Sequence, residues 1–215
     1  MNIQMATDEL HVAFQRLNKT FFNNELPEPA ITIQSGGKRS TMGWCTLKPI
    51  WRDKEKTIQM YEINIAAEYL NIDFYDTMDT LLHEMVHLYC RVHNIKETSR
   101  KGQYHNKRFK EESLKRGFYY PVNKPDKKIG WSYSKITDET KKIIDTFNIN
   151  TEVFQIARGT FVSSQTEGPE GEREQQQKSH NRKYICPVCS QSVRATKEVN
   201  IICGDCMETM EVEIQ

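Results

Sequence analysis

The sequence lacks the features of an exported or membrane-spanning protein. Among its 215 residues no apolar run approaches the ~20 residues that a transmembrane helix requires. The amino-terminal stretch MNIQMATDELHVAF has no basic segment followed by an apolar one, which is the layout of a secretory signal. We therefore expect no membrane association and a cytoplasmic location, with association to DNA or a nucleoid as a variant of it.

The cysteines do not form the pattern of a secreted disulfide framework. Four of the six lie in two C-x-x-C pairs, and no export signal accompanies them. Reduced thiols in an intracellular protein are therefore the simpler interpretation. The other two, Cys45 and Cys90, are expected as small buried residues.

The net charge is only +1, but the charged residues are unevenly distributed along the chain. Residues 91–128 carry twelve Lys/Arg and four Asp/Glu, a local charge of +8, so the other residues sum to −7. A basic segment of this density is typical of a surface that binds a polyanion, or of a solvated helix face. Residues 91–128 are therefore a candidate DNA-binding surface.

Apolar periodicity predicts a helix that ends near residues 23–24, followed by strands at 30–36, 41–52 and 57–66. A second helix should start at Asp73 or Asp76, either of which can cap it. Its expected buried stripe consists of Met78, Leu81, Leu82, Met85, Val86 and Tyr89. The apolar face expected for the first helix consists of Leu10, Val12, Phe14, Leu17 and Phe21.

Three further elements are predicted after the second helix. Residues 106–118 form a helix with Phe109 and Leu114 facing inward, and residues 130–149 contain a short helix. Residues 152–162 form a strand that returns to the sheet.

The stretch LLHEMVHLYCRVHN, residues 81–94, contains the pattern H-E-x-x-H. His83 and His87 project from one side of a helix and can bind the same Zn²⁺ ion. Glu84 can take a proton from water that the metal activates and return it to a leaving amine. Two histidines at this spacing also arise by chance, but the apolar helical frame without a helix breaker favours the site of a zinc metalloprotease.

Two histidines compete for the position of third ligand. The longer pattern H-E-x-x-H-x-x-G-x-x-H would use His93, but Cys90 stands where that pattern has a glycine that turns the chain back. With Cys90 the helix should continue to about Val92 and carry His93 away from the metal. His105 follows a loop that can double back, and Gly102 precedes it by three residues. The sequence favours His105, with His93 or a carboxylate as alternatives.

The segments LLHEMVHLYC, GQYHNKRFKEESLKRGF and FNNELPEPAITIQ together resemble the SprT-like family of zinc metalloproteases, which includes the Spartan-type DNA-dependent proteases. The resemblance runs from about residue 7 to 120. It implies that His83, His87 and His105 bind a catalytic zinc and that Glu84 is the catalytic carboxylate. In Spartan-type members the later motif commonly reads G-H-G, whereas this chain has GQYHNKRF.

The last segment carries a second metal signature, C-x2-C-x13-C-x2-C, formed by Cys186, Cys189, Cys203 and Cys206. This spacing is close to that of a structural zinc site with four thiolate ligands, and Gly204 is expected to ease the second turn. About thirty residues cannot build an adequate core, so the metal should hold the module together. A redox pair or disulfides are the alternatives. Two Lys/Arg against five Asp/Glu in residues 184–215 argue against phosphate contacts.

We therefore expect an α+β protein with two zinc ions, one catalytic and one structural. Residues 1–162 should form a zincin-like minimal metalloprotease domain, with helices on a small, mostly antiparallel sheet, a core at about 7–120 and a C-terminal extension. Residues 163–183 have almost nothing to bury and are expected to be a flexible linker. Residues 184–215 should form a small β-rich zinc ribbon.

The leading functional hypothesis is an endopeptidase that cleaves proteins bound to or crosslinked on DNA, with residues 91–128 as its DNA contact. One strand between Thr41 and Ala66 is expected to hold the peptide substrate. One alternative is a non-enzymatic, zinc-stabilised protein that associates with DNA or regulates a partner. Another is a peptidase without any link to nucleic acid. No residue is assigned to oxyanion stabilisation, and Tyr89 and Tyr104 are more simply explained by packing.

Overall fold

A computed structural model of the chain describes residues 2–36, 41–159 and 182–213. The chain divides into two compact units, Met1–Val162 and Ser163–Gln215. The predicted linker at 163–183 lies outside the described residues, apart from Arg182 and Lys183. None of the helices within the described ranges combines the length and apolar character needed to cross a lipid bilayer.

The first unit contains four α-helices within its described residues. They are α1 Ile3–Phe21, α2 Phe74–Val92, α3 Lys107–Leu114 and α4 Asp138–Asp145. Each begins after a residue whose side chain accepts a hydrogen bond from a backbone N–H of the first turn, namely Asn2, Asp73, Asn106 and Thr137. Asp73, rather than Asp76, therefore caps α2, and the predicted short helix within 130–149 is confirmed as α4.

The apolar faces of the helices form the core, with two corrections to the expected faces. The predicted stripe of α2 is buried up to Val86, and Tyr89 is half-buried. Val12 in α1 is 37% exposed, because it stands two residues from both Leu10 and Phe14 and so points to the opposite side. Leu114 in α3 is 48% exposed, since five residues after Phe109 place it about 140° around the helix.

Short strands complete the first unit. They are β1 Ala30–Gln34, β2 Gly43–Cys45, β3 Trp51–Arg52, β4 Gln59–Met60, β5 Glu62–Ala66, β6 Thr98–Ser99, β7 Tyr104–His105, β8 Phe118–Tyr119 and β9 Lys135–Ile136. The predicted strands at 41–52 and 57–66 are each divided, the first into β2 and β3 and the second into β4 and β5.

The main sheet has the order β1-β5-β2, with β5 in the centre and buried along its whole length. β2 pairs antiparallel with β5, and β1 pairs parallel with it. The pairs β3–β4, β6–β7 and β8–β9 are antiparallel. Most strand pairs of the first unit are antiparallel, but the main sheet itself has one parallel and one antiparallel pair. The predicted mostly antiparallel sheet is therefore confirmed only in part. Because β2 is an edge strand that contacts α2, one edge of the sheet lies against the helix that carries His83 and His87.

The predicted strand at 152–162 is wrong for its described part. Thr151–Phe154 forms a short 3₁₀ helix instead. Val153 and Phe154 are both buried, and the Phe154 ring lies 5.9 Å from that of Phe74. In a strand, neighbouring side chains would point to opposite faces, whereas here two consecutive apolar residues both reach the core. Residues 160–162 lie outside the described part of the chain.

The second unit is a small sheet of β10 Arg182–Ile185, β11 Ser192–Ala195 and β12 Glu211–Val212, with β10 between its two antiparallel neighbours. β10 begins two residues before the predicted boundary at 184, so Arg182 and Lys183 belong to this fold. The two units together confirm the α+β class.

Candidate metal centre

Three histidines from two elements come together in the first unit. α2 carries His83 and His87 one turn apart, and β7 supplies His105. The Nε2 atom of His105 lies 3.3 Å from Nε2 of His83 and 3.0 Å from Nε2 of His87. One nitrogen from each ring lies within 4.8 Å of the other two. The sequence-predicted trio is therefore assembled, whereas its binding of a metal stays a prediction.

The tautomers of two of these rings follow from their other nitrogens. Nδ1 of His105 lies 3.1 Å from the backbone oxygen of Ile129, and Nδ1 of His87 lies 3.1 Å from Oε1 of Glu97. A carbonyl oxygen only accepts hydrogen bonds, and a carboxylate does the same when ionised, so both Nδ1 atoms carry the proton. Burial lowers the pKa of His83, His87 and His105 and favours the neutral rings. The Nε2 atoms of His87 and His105 therefore present lone pairs.

The donor set fits a divalent cation. Two Nε2 lone pairs 3.0 Å apart repel each other unless a positive charge lies beside them. Three neutral imidazoles are a usual ligand set for catalytic zinc, and hydrogen bonds from Nδ1 to oxygen acceptors orient such ligands. The ring of Phe109 lies 4.7, 4.6 and 4.5 Å from those of His83, His87 and His105. It gives the cluster an apolar floor.

The β6–β7 hairpin explains why His105 reaches the cluster and His93 does not. Arg100, Lys101 and Gly102 all adopt left-handed backbone conformations, which turn the chain back towards α2. α2 continues to Val92, as expected with Cys90 in its last turn. Nε2 of His93 lies 3.0 Å from Oε2 of Glu25, and His93 does not belong to the histidine cluster.

Glu84 is buried beside the edge strand β2. The backbone N–H of Cys45 donates to its carboxyl group, and burial raises its pKa to about 8. Gly43 permits this close packing, because a Cβ atom there would stand 2.8 Å from Cγ2 of Thr80 and 3.3 Å from Cγ of Glu84. The requirement for glycine at position 43 depends on strand–helix contact and could not be derived from local sequence.

A buried ion-pair network lies behind His87, and sequence reasoning did not find it. Glu97 is 5% exposed, and its Oε1 accepts a hydrogen bond from Nδ1 of His87. The same oxygen lies 3.7 Å from Nε of Arg91. Nη1 of Arg91 donates to the backbone oxygen of Thr46 at 2.8 Å. This network joins α2, the segment before β6 and the end of β2 around the His87 ring. Such partners typically change metal affinity about 10- to 100-fold.

The two tyrosines considered from the sequence pack against other groups. Tyr89 lies 5.8 Å from the Phe22 ring, and the guanidinium of Arg116 stands 3.7 Å above it. The guanidinium of Arg100 lies 4.6 Å above the ring of Tyr104. These contacts agree with packing roles for both.

His105 is also held by a later segment of the chain. Its backbone N–H donates to Ile129 O at 3.0 Å, and Trp131 N–H donates to His105 O at 2.9 Å. Gly130 lies between these partners with φ of +69°, and a Cβ atom there would overlap the carbonyl oxygen of His105. Residues 129–131 therefore form a brace for His105, and only glycine fits its middle position.

We expect Gly130→Ala to weaken zinc binding at the three histidines by about tenfold or more, because the added methyl group displaces His105. The matched control is Gly102→Ala, which shares a positive φ of +86° but has nothing within 4 Å of the added atom. It carries only the backbone strain of about 1–2 kcal/mol. Competition with a chromogenic chelator measures both affinities. Equal affinities in the two variants would contradict the brace.

The four cysteines of the second unit also come together. One sulfur from each of Cys186, Cys189, Cys203 and Cys206 lies within 4.8 Å of the other three. Ser190 N–H donates to Cys186 O, and Met207 N–H donates to Cys203 O, so the two C-x-x-C turns repeat one pattern. Backbone N–H groups of Cys189 and Val188 lower the pKa of Cys186 to about 7. Four converging sulfurs with a thiolate available fit a zinc ion.

Gly204 does not have the expected part in the second turn. The left-handed residues are Ser190 and Met207, with φ of 61° and 57°, at equivalent positions of the two turns. Gly204 has no positive φ, and a Cβ atom there would meet nothing within 4 Å. The turn geometry comes from the hydrogen bonds at its ends rather than from glycine.

The remaining cysteines are structural. Cys90 is 0% exposed and Cys45 is 8% exposed, and both belong to the core of the first unit. Burial raises the pKa of each thiol to about 12, so both stay protonated. Neither belongs to a metal-binding cluster among the described residues.

A comparison with protein families matches residues 10–124 to the SprT-like family. The matched range covers more than half of the chain and includes all three histidines of the cluster, whereas the four cysteines lie outside it. Neither the comparison with curated proteins nor the comparison with solved structures gives a match.

Proposed function

The chain belongs to the SprT-like family, and from that premise we propose that it is a zinc-dependent endopeptidase. SprT-like proteins are generally metallopeptidases. The observation that carries the proposal is the convergence of the Nε2 atoms of His105, His83 and His87, at 3.3 and 3.0 Å, next to a buried carboxyl group at position 84. These residues would hold a zinc ion, which would polarise a peptide carbonyl and lower the pKa of nearby water.

Glu84 is the proposed general base and acid. Burial favours the neutral acid, but the positive charge of a zinc ion at the three histidines would favour the carboxylate. This carboxylate accepts a proton from the water that attacks the carbonyl carbon. As the peptide C–N bond breaks, the same carboxyl group donates that proton to the leaving nitrogen. Hydrolysis then yields one carboxylic acid and one amine, and Glu84 returns to its starting state. The hydrogen bond from Cys45 N–H holds the carboxyl group against β2.

β2 is the strand that we propose to bind the substrate backbone. Of the two predicted strand regions between Thr41 and Ala66, the second contains β5, which is central and buried. The first contains β2, which is at the edge and contacts α2. An extended peptide laid along such an edge gains backbone hydrogen bonds with little dependence on its side chains. We therefore expect broad rather than narrow cleavage specificity.

We further propose that the substrates are proteins bound to or crosslinked on DNA. The resemblance to Spartan-type proteases and the local charge of +8 in residues 91–128 support this part. Nine of the twelve Lys/Arg in that segment are exposed, while Arg116 is buried and paired with Glu112. Exposed cations at this density attract phosphates over a Debye length of about 10 Å.

Zinc counting tests the metal site. We expect wild type to bind one zinc at each of the two clusters and His105→Ala to lose one of the two ions, because its ring completes the histidine set. The matched control is His93→Ala at the C-terminal end of α2, which should keep both ions. Mass spectrometry of the native protein gives the stoichiometry. If His93→Ala loses the ion and His105→Ala keeps it, the ligand assignment is wrong. One ion held by cysteines alone would favour the non-enzymatic alternative.

A further inference from the structure

A cleft of about 330 Å³ lies in the first unit. Its walls come from residues 120–133, which follow β8 and end just before β9. The lining residues are Tyr120, Pro121, Val122, Lys124, Pro125, Asp126, Gly130, Trp131 and Tyr133. Neither the zinc-dependent reaction nor the cysteine cluster uses this cleft. Its volume is near the lower end of the range for small-molecule sites.

The walls of the cleft are mainly aromatic and apolar. The rings of Tyr120 and Trp131 meet edge to face, with centroids 5.3 Å apart and an angle of 83°. Trp131 is 8% exposed and forms the floor, whereas Tyr133 is 68% exposed. An exposed aromatic ring beside a rigid aromatic floor is a surface on which a planar ring can stack.

The rim of the cleft is basic. Lys124 is exposed and lines it, and Lys127 and Lys128 are exposed on the adjoining turn. Nζ of Lys110 lies 3.8 Å above the Trp131 ring. The acidic lining residue is Asp126, whose Oδ1 accepts hydrogen bonds from the backbone N–H groups of Lys128 and Ile129. Its charge is therefore engaged in the turn, and the lysines set the sign of the potential at the opening.

We propose that this cleft binds a nucleotide of a single-stranded nucleic acid, with the base stacked on Tyr133 and the phosphates near Lys124. Aromatic stacking surfaces within a basic groove are the common basis of single-strand binding without sequence preference. A peptide side chain would also fit the apolar walls, but it would leave the basic rim without a partner. The proposal rests on the proposed function for its DNA context, but it does not require peptidase activity.

Two residues connect the cleft with the candidate metal centre. Gly130 and Trp131 line the cleft and also belong to the brace that holds His105.

Fluorescence anisotropy of a labelled oligodeoxythymidylate of about 12 nucleotides tests the proposal. All variants in this binding assay are made in a full-length chain that also carries Glu84→Gln, which prevents self-cleavage. Tyr133→Ala should weaken binding about tenfold, the usual effect of removing one stacking partner. The matched control is Tyr119→Ala, a 47% exposed tyrosine that does not line the cleft, and it should bind like the parent. Lys124→Ala should lower the slope of log Kd against log salt by about 0.7, and Lys19→Ala on α1 should not.

Four results would overturn the proposal. The oligonucleotide could fail to bind at low salt, or Tyr133→Ala could bind it as tightly as Tyr119→Ala. Substitution of Arg194 and Lys197 in the ribbon could abolish binding while Tyr133→Ala does not, which would place the site in the second unit. In a chain that keeps Glu84, Tyr133→Ala could instead raise KM for a peptide while its oligonucleotide affinity in the Glu84→Gln background stays unchanged, which would make the cleft a peptide subsite. If the wild-type protein shows no peptidase activity, the proposed function is contradicted, but this binding test is not affected.

Discussion

Glu84→Gln is expected to abolish detectable peptide cleavage while both zinc ions stay bound. The amide keeps the size of the carboxyl group but cannot take a proton from water or return it to the leaving amine. Removal of a general base typically lowers a rate 10²- to 10⁴-fold. The zinc content should not change, because the proposed ligands are imidazoles and thiolates. Casein cleavage and native mass spectrometry measure the two effects on the same preparation.

The control for this prediction is Asp76→Asn on the same helix. Asp76 is paired with Lys135 at the surface, so its loss should leave cleavage close to wild type. The assay is run with no DNA, with single-stranded DNA and with double-stranded DNA. Stimulation of wild type, but not of Glu84→Gln, would support substrates that are presented on DNA. Full activity in Glu84→Gln would remove the proposed mechanism, and an equal rate with and without DNA would favour a peptidase that has no link to nucleic acid.

Cys203→Ser is expected to unfold the second unit, the predicted zinc ribbon, and to leave the first unit intact. Among the described residues of this unit, the buried apolar side chains are Tyr184, Cys186, Cys203 and Met210, so two of the four are proposed metal ligands. Structural zinc typically contributes about 10–16 kcal/mol to the folding of such a module. Without it the few remaining contacts cannot offset the conformational entropy of the chain. NMR amide signals from residues 182–213 should collapse to random-coil positions.

The matched control is Cys90→Ala, which removes a thiol from the core of the first unit. It should keep two zinc ions and a folded ribbon, at a modest loss of stability from the small cavity. Cys203→Ser should keep the ion at the histidines and the peptidase activity. A dispersed ribbon spectrum in Cys203→Ser, with unchanged zinc content, would show that the cysteines do not hold a structural ion.

Local sequence was enough to identify the residues that α2 brings to the site. The spacing of His83 and His87 and the continuation of the helix past Cys90 depend on contacts within about one turn. The cap of α2 was left open between Asp73 and Asp76, and the structure assigns it to Asp73. His105 could be favoured over His93 for the same reason, since helix continuation at Cys90 removes the alternative. The two C-x-x-C pairs are local in the same sense, because each turn is closed by hydrogen bonds within a few residues.

The residues that support the site were not predictable because their contacts are distant in sequence. The backbone oxygen that accepts a hydrogen bond from the His105 ring belongs to Ile129, 24 residues further along the chain. Arg91 reaches the carbonyl of Thr46 across 45 residues, and Gly43 is required by its contact with α2. The parallel pairing of β1 with β5 is a further case, since strand alternation predicts faces and not neighbours. The prediction of a strand at 152–162 was wrong because tertiary packing buries two consecutive apolar residues.

The brace formed by residues 129–131 has a consequence for synthesis of the chain. A ribosome releases His83, His87 and His105 well before it releases the segment that orients the last of them. A nascent polypeptide that has not yet reached Trp131 thus holds its third imidazole only through the short hairpin of β6 and β7. We therefore expect the three rings to reach their final arrangement only after most of the first unit has been translated.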